Sequence, residues 1–285
     1  MTKRVYGVSS HLYHGQRLTR DHLLELAAYG FDTLELFATR SHLDYHNPST
    51  VADLQQWLAE AQLELGSIHA PIGASYSGGR VGGALSLASP DETSRAEAVA
   101  ETERALHIAR RIPAKVLVIH LGAPRNIEPP GGANARGAAR RSIEELQRTA
   151  EPLGVRLALE VIPNELSRAG SLVHVLEEDL EGIDAGICLD FGHAHIDGDV
   201  VEAIETVSGH LIATHVHDNR GRTDDHLVPF EGTIDWPFAL QAVQKIGYDG
   251  PLLFEIAAHG SAKETLARAQ KARERIEKLL GSAQL

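Results

Sequence analysis

Residues Gly186–His195 read GICLDFGHAH: an apolar run, Ile187–Leu189, that stops on the acid Asp190 and is followed three positions later by His193. Such a short, continuous run fits a strand covered on both faces. The same pattern recurs along the chain. SIHAP ends its run on His69, VLVIHLG on His120, LALEVIPN on Glu160, IATHVHDN on His215, His217 and Asp218, and LLFEI on Glu255. The segment TDDHL (Asp224, Asp225, His226) follows the seventh of these strands. One strand ending on a metal-capable or acid–base side chain means little. Six in register mean that one end of a sheet converges on a site. Neutral imidazoles and carboxylates are the donors that zinc and manganese accept, so the pattern is that of a metalloenzyme.

Between these strands the sequence alternates into helices. Strands are expected at Val5–Ser9, Thr33–Phe37, Leu65–His69, Val116–His120, Arg156–Glu160, Ile187–Asp190, Leu211–His217 and Leu252–Ile256. Helices are expected at Arg20–Tyr29, stopped by Gly30, at Thr50–Ala61 behind Ser49 as cap, and from Ser89-Pro90-Asp91-Glu92 to Arg111. Further helices fall at Arg136–Leu153, Leu172–Glu178, Val200–Thr206, Trp236–Ile246 and Ala262–Leu280. Ala70–Ala88 and Ala123–Ala133, rich in Gly or Pro, are expected to be long loops, and GSAQL a frayed tail. Eight β/α repeats point to an α/β fold of the (β/α)8 TIM-barrel kind, one domain over residues 1–285. Catalytic groups of such barrels sit at the C-terminal ends of the strands, where the acids and histidines above fall.

Composition sets the remaining bounds. Of 285 residues, 43% are hydrophobic, enough for a large core, and 23% are charged, ordinary for a soluble protein. A single cysteine, Cys188, rules out an intramolecular disulfide and fits a reducing cytoplasm. MTKRVYGVSS lacks the apolar stretch of a signal peptide, and no run is long enough to span a membrane. A net charge of −12 argues against a nucleic-acid partner, whose phosphates need Lys and Arg.

Glu160, Asp190 and Glu255 each follow at least three apolar residues, where an unpaired carboxylate is costly unless it binds a metal or a partner. With His215 they place four donors from the fifth to eighth strands at one mouth. A divalent ion there would polarise a carbonyl and stabilise an enediolate, while Glu160 and Glu255 move protons as base and acid. That chemistry is aldose–ketose isomerisation or epimerisation. His69, His120, His193, Asp224 and His226 are candidates either for further metal ions or for substrate hydroxyls, and the residues alone leave both roles open.

The chain resembles the xylose isomerase-like barrel superfamily of sugar (phosphate) isomerases and epimerases, which includes the zinc-dependent apurinic endonucleases. The resemblance spans almost the whole chain and is carried by LDFGHAHIDGD, HVHDNRGRTDDHLVPFEGTIDW and LLFEI. For the sugar epimerases it implies a mononuclear Mn-type site of Glu160, Asp190, His215 and Glu255, the two glutamates as acid–base pair, and His193 on the substrate. For the endonucleases it implies a trinuclear site of His69, His120, Glu160, Asp190, His193, His215, Asp224, His226 and Glu255. The acidic balance and EVIPN after the fifth strand, where the endonucleases have Asn-Thr directly after the glutamate, favour the sugar enzyme. A metal-dependent keto-sugar or cyclitol dehydratase is the near alternative. The expected cofactor is Mn²⁺ or Zn²⁺, with Mg²⁺ or Co²⁺ also compatible. The expected partner is a small sugar, with a homo-oligomer as the resemblance-level expectation.

The other polar residues receive blander readings. His193, His120, His69 and Arg220 are the candidate substrate contacts, with a surface role open for Arg220 and Arg222. His217 is read as a support to the ligands, Asp218 as a cap, and Glu35 as half of a structural ion pair. His11, His14, His42 and His46 are placed in solvated loops, and His22, His107, His174 and His259 on helices or the surface. Trp57 and Trp236 fit helix packing, and the glycines of 78–83 suit a mobile lid.

Overall fold

The computed structural model describes residues 4–77, 80–123 and 134–282. Eight parallel strands close on themselves: β1 (Tyr6–Ser9), β2 (Thr33–Phe37), β3 (Glu64–His69), β6 (Val116–Ile119), β7 (Arg156–Glu160), β8 (Ala185–Asp190), β9 (Leu211–Val216) and β10 (Leu252–Phe254). Around the barrel their order is β1-β10-β9-β8-β7-β6-β3-β2, the TIM-barrel arrangement. The helices are α1 (Arg20–Ala28), α2 (Pro48–Ala61), α3 (Glu92–Leu106), α4 (Arg136–Ala150), α5 (Ala169–His174), α6 (Phe191–Asp197), α7 (Val200–Thr206), α8 (Trp236–Lys245) and α9 (Ala262–Ser282). No described helix is long and apolar enough to cross a membrane.

Period-2 alternation explains both the core and the site. Leu117, Ile119, Leu157, Leu159, Ile187 and Leu189 belong to the large cluster shared with the helices, whereas Val118, Ala158 and Cys188 form a separate cluster on the other strand face. Residues two apart on a strand share a face. His120, Glu160 and Asp190 therefore stand directly above Val118, Ala158 and Cys188 at the C-terminal mouth. Likewise Glu35 on β2 is paired in register with Ser67 on β3, and His69 lies two residues beyond Ser67.

Several local expectations are corrected. Residues 70–88 are not a plain loop: β4 (Gly73–Ser77) and β5 (Arg80–Ala84) form an antiparallel hairpin after β3. The residues between them, and the loop expected at Ala123–Ala133 apart from Ala123, lie outside the described residues, as do residues 283–285 of the tail. Helix α3 is capped by Asp91, whose Oδ1 accepts from Ser94 N at 2.8 Å, while Ser89 only accepts from Asp91 N. Asn47, not Ser49, caps α2. The acid Asp190 ends β8 and caps the short α6, a helix hidden in the sequence because seven residues are too few to show a 3.6-residue period. Gly30 stops α1 as expected, at φ +80°.

Candidate metal and acid–base centre

The carboxylates of Glu160, Asp190 and Glu255 and a ring nitrogen of His215 all lie within 4.8 Å of one another. Strand register sets this up, because Asp190 on β8 pairs with His215 on β9, which pairs with Leu253 on β10. His215 Nδ1 is 3.1 Å from Glu160 Oε1, 3.3 Å from Glu255 Oε2 and 3.7 Å from Asp190 Oδ2. Its other nitrogen, Nε2, is 3.2 Å from Glu35 Oε2, which also accepts from Ser67 Oγ at 2.7 Å. All of these residues are buried.

His69 extends the cluster on one side. Its Nδ1–H donates to the Ala70 carbonyl (2.9 Å), which leaves Nε2 facing Glu160 Oε2 at 3.1 Å. Its ring stacks on His215, and His69, Glu160 and His215 form a second set of donors close enough to share an ion. His120 Nε2 lies 2.9 Å from the same glutamate oxygen.

On the other side the loop after β9 brings Asp224 and His226 to His217, and these three form a third donor set. His193 Nε2 and His226 Nε2 lie 3.1 and 3.0 Å from Asp224 Oδ2. His217 Nε2 is 2.9 Å from Asp190 Oδ2, and its Nδ1 is buried without a partner. His226 takes a left-handed backbone, φ 45°, which a β-carbon resists by about 1–2 kcal/mol. Two bonds hold it there: Ala257 N–H to the His226 carbonyl (2.9 Å) and His226 Nδ1–H to the Glu255 carbonyl (2.8 Å). The loop itself is anchored by Asp218. Its Oδ1 accepts from Asn219 N (2.9 Å) and Ile234 N (3.2 Å), and its Oδ2 from Phe230 N (3.0 Å) and Trp236 Nε1 (2.8 Å).

Opposed charges hold the site in its ionised form. Burial alone would push the carboxylates up and the imidazoles down. Instead the imidazoles of His120 and His215 bring Glu160 well below the ordinary carboxylate range, and those of His226 and His193 do the same for Asp224. Asp190 is lowered by His193 and His217, and Glu35 by His215. Burial lowers His69 and His226, but the Glu160 carboxylate raises His69 to about 9, and Asp224 raises His226 to about 10. Burial also pushes the Cys188 thiol beneath the site up to about 12, so it stays neutral.

These residues fit a divalent metal. Hard carboxylate oxygens and imidazole nitrogens converge from four strands.

Of the site residues read from the sequence, Glu160, Asp190, His215, Glu255, His69, His120, His193, Asp224 and His226 stand in one continuous constellation. Arg220 does not join it; its side chain is exposed on the loop after β9. His217 is a donor of the third set as well as a partner of Asp190. His11 and His42, expected in solvated loops, are buried. His11 packs at 4.6 Å between ring centroids on His226, and His42 Nδ1–H donates to the Gln16 carbonyl at 2.7 Å.

Residues 23–280 match the family model described as Xylose isomerase-like TIM barrel. The chain belongs to this family. It is 28% identical to an uncharacterized protein of Methanocaldococcus jannaschii over 256 residues, covering 88% of this chain and 83% of the relative. It is 26% identical to the L-ribulose-5-phosphate 3-epimerase UlaE of Escherichia coli over 203 residues, 69% of each chain. Among solved structures, a D-tagatose 3-epimerase-like protein superposes with a TM-score of 0.77 at 26% identity over 97% of both chains. The fold is shared with an L-ribulose 3-epimerase, TM-score 0.75 at 21% identity, covering 99% of this chain and 96% of that one.

Proposed function

We propose that this protein is a divalent-metal-dependent sugar isomerase/epimerase that moves a proton on the carbon next to a carbonyl. The observation that carries the reading is the convergence of Glu160, Asp190, His215 and Glu255 on one point at the barrel mouth. Those four would hold Mn²⁺, Zn²⁺, Mg²⁺ or Co²⁺, and the ion would polarise the substrate carbonyl and lower the cost of negative charge on its oxygen. Glu160 and Glu255 come from β7 and β10, with β8 and β9 between them, so they approach a ligand at the mouth from different sides. One takes the proton from carbon and the other returns a proton to the opposite face, which inverts that centre. Burial around the pair keeps water from competing for the carbanion-like intermediate. His193, 6% exposed at its side chain and next to both Glu160 and Asp190, is placed to donate to a substrate hydroxyl.

The relatives named L-ribulose-5-phosphate 3-epimerase and D-tagatose 3-epimerase-like protein support a ketose substrate with chemistry at the third carbon. Incubation of the Mn²⁺-loaded protein with D-tagatose, D-psicose and L-ribulose in D2O should place deuterium at that carbon and yield the epimer. A panel of ketoses and aldoses none of which exchanges a proton with metal bound would overturn the reading. The same proton abstraction followed by hydroxyl loss would make a dehydratase, which the product spectrum separates.

One observation favours a second reading. The three donor sets, two of which share Glu160 and His215, could hold more than one ion, as a metal-dependent phosphodiester hydrolase needs. Metal analysis decides between them: one tightly held ion per chain supports the epimerase, whereas three zincs with nicking of abasic DNA support the hydrolase.

A further inference from the structure

Three of the site's histidines hand one ring nitrogen to a backbone carbonyl, and for His193 that nitrogen also lies 3.5 Å from Glu160 Oε1 and Asp190 Oδ2. His69 donates to the Ala70 carbonyl, His193 to the Val161 carbonyl at 3.1 Å, and His226 to the Glu255 carbonyl. His215 meets a carboxylate instead on the side away from Glu160, Asp190 and Glu255: Glu35, 3.1–3.2 Å from Nε2. Glu35 is 1% exposed and contacts the Ser67 hydroxyl and this imidazole. A lone buried carboxylate costs several kcal/mol unless it is paired and hydrogen-bonded. Packing alone would be served as well by an apolar side chain at this place in the barrel.

A carboxylate oxygen only accepts, so the proton between Glu35 and His215 sits on Nε2, and the Nδ1 lone pair is left for the ion. We propose that Glu35 is the positioning residue of the metal centre, fixing His215 as an Nδ1 donor. A carboxylate draws the Nε2 proton more strongly than a backbone carbonyl does, and this raises electron density at Nδ1. The shared interior face of β2 and β3 provides the means, because register puts the Ser67 hydroxyl beside Glu35 and holds its free rotamer in place. Glu35 touches neither substrate nor ion; it acts only through His215.

This inference rests on the metal reading above, and its test separates the two. The Mn²⁺ affinity of the purified chain is measured by the EPR signal of free Mn²⁺ for wild type, Glu35→Gln, His215→Ala and the double variant. Glu35→Gln should weaken Mn²⁺ binding by about 10–100-fold, and the same change in the His215→Ala background should do nothing further. Equal losses in both backgrounds, or no loss in the first, overturn the proposal while leaving the metal reading intact. Absence of Mn²⁺ binding by wild type overturns both. In the Zn²⁺-loaded wild type, ¹⁵N spectra should show the His215 proton on Nε2, and a proton on Nδ1 would refute the assignment. If Glu35→Gln fails to fold, Glu35→Asp carries the same cycle: it keeps the charge and should retain the Nε2 proton with a smaller loss of affinity.

Discussion

Replacing Asp218 by Asn tests how the loop carrying Asp224 and His226 is held. The side chain is fully buried, and each of its oxygens accepts two N–H groups, those of Asn219 and Ile234 on one and those of Phe230 and Trp236 on the other. The amide turns one oxygen into an NH2 group, so whichever way it is oriented, two donors meet a donor. Hydrogen bonds to a charged acceptor contribute about 1.5–3 kcal/mol each, so the loss is about 3–6 kcal/mol. That is a large fraction of the roughly 5–15 kcal/mol that keeps a domain folded. For a chain of this length about 2 °C is lost per kcal/mol, so the thermal midpoint should fall by about 6–12 °C. Differential scanning calorimetry measures it, on metal-free protein so that bound ions do not mask the change. The loop should also become cleavable by protease between residues 218 and 236, with the remainder of the barrel intact. A midpoint within about 2 °C of wild type and an unchanged digestion pattern would show that the loop is held elsewhere.

Other expectations follow from the same geometry. A β-carbon at Gly192 would fall inside the buried His217 ring, so Gly192→Ala should destabilise by about 1–3 kcal/mol and disturb the His217–Asp224–His226 set more than the Glu160 set, read by metal stoichiometry. Glu160→Gln should leave the fold intact by circular dichroism and abolish solvent deuterium incorporation, and retention of full exchange would remove Glu160 from its acid–base role. In the metal-free protein His69 and His226 titrate near 9 and 10, above their ordinary 6.5, so the stability they confer is complete below 6.5 and is lost as the pH rises through those values. The metal-free midpoint should therefore fall between neutral pH and 10, while Mn²⁺ or Zn²⁺, which displaces those protons, binds more tightly over the same range. A flat midpoint across that range would show that these imidazoles are not protonated in the folded chain.

The barrel was readable because most of its strands are short, largely apolar segments that end on polar residues, a pattern that needs no tertiary information. The main ligand set was readable for the same reason, since period-2 alternation places Glu160 and Asp190 on the interior face once Ala158 and Cys188 are inside. What the pattern could not supply was pairing across strands. Glu35 looks like any acid in TLELF until register sets it beside Ser67 and under His215. His217 looks like a neighbour of a ligand until the loop folds back and brings Asp224 and His226 to it. The β4–β5 hairpin escaped because its glycines read as irregular backbone, although Gly73 and Gly82 sit where a β-carbon would strike the facing strand. The α3 cap was misplaced by two residues because Ser89 and Asp91 are both good caps, and the chain used Asp91.

Asp190 uses one oxygen to start α6, accepting the His193 amide at 2.7 Å, and turns the other toward His217 and the ligand cluster. A descendant that abandoned its chemistry would still be selected to keep a cap at this position, because losing one costs about 1 kcal/mol. An aspartate at 190 is therefore a poor marker of whether a relative is still an enzyme or has decayed into a pseudoenzyme. Glu160, whose contacts are the site imidazoles of His69, His120, His193 and His215, has no such second duty, and its loss would date the end of turnover in a lineage.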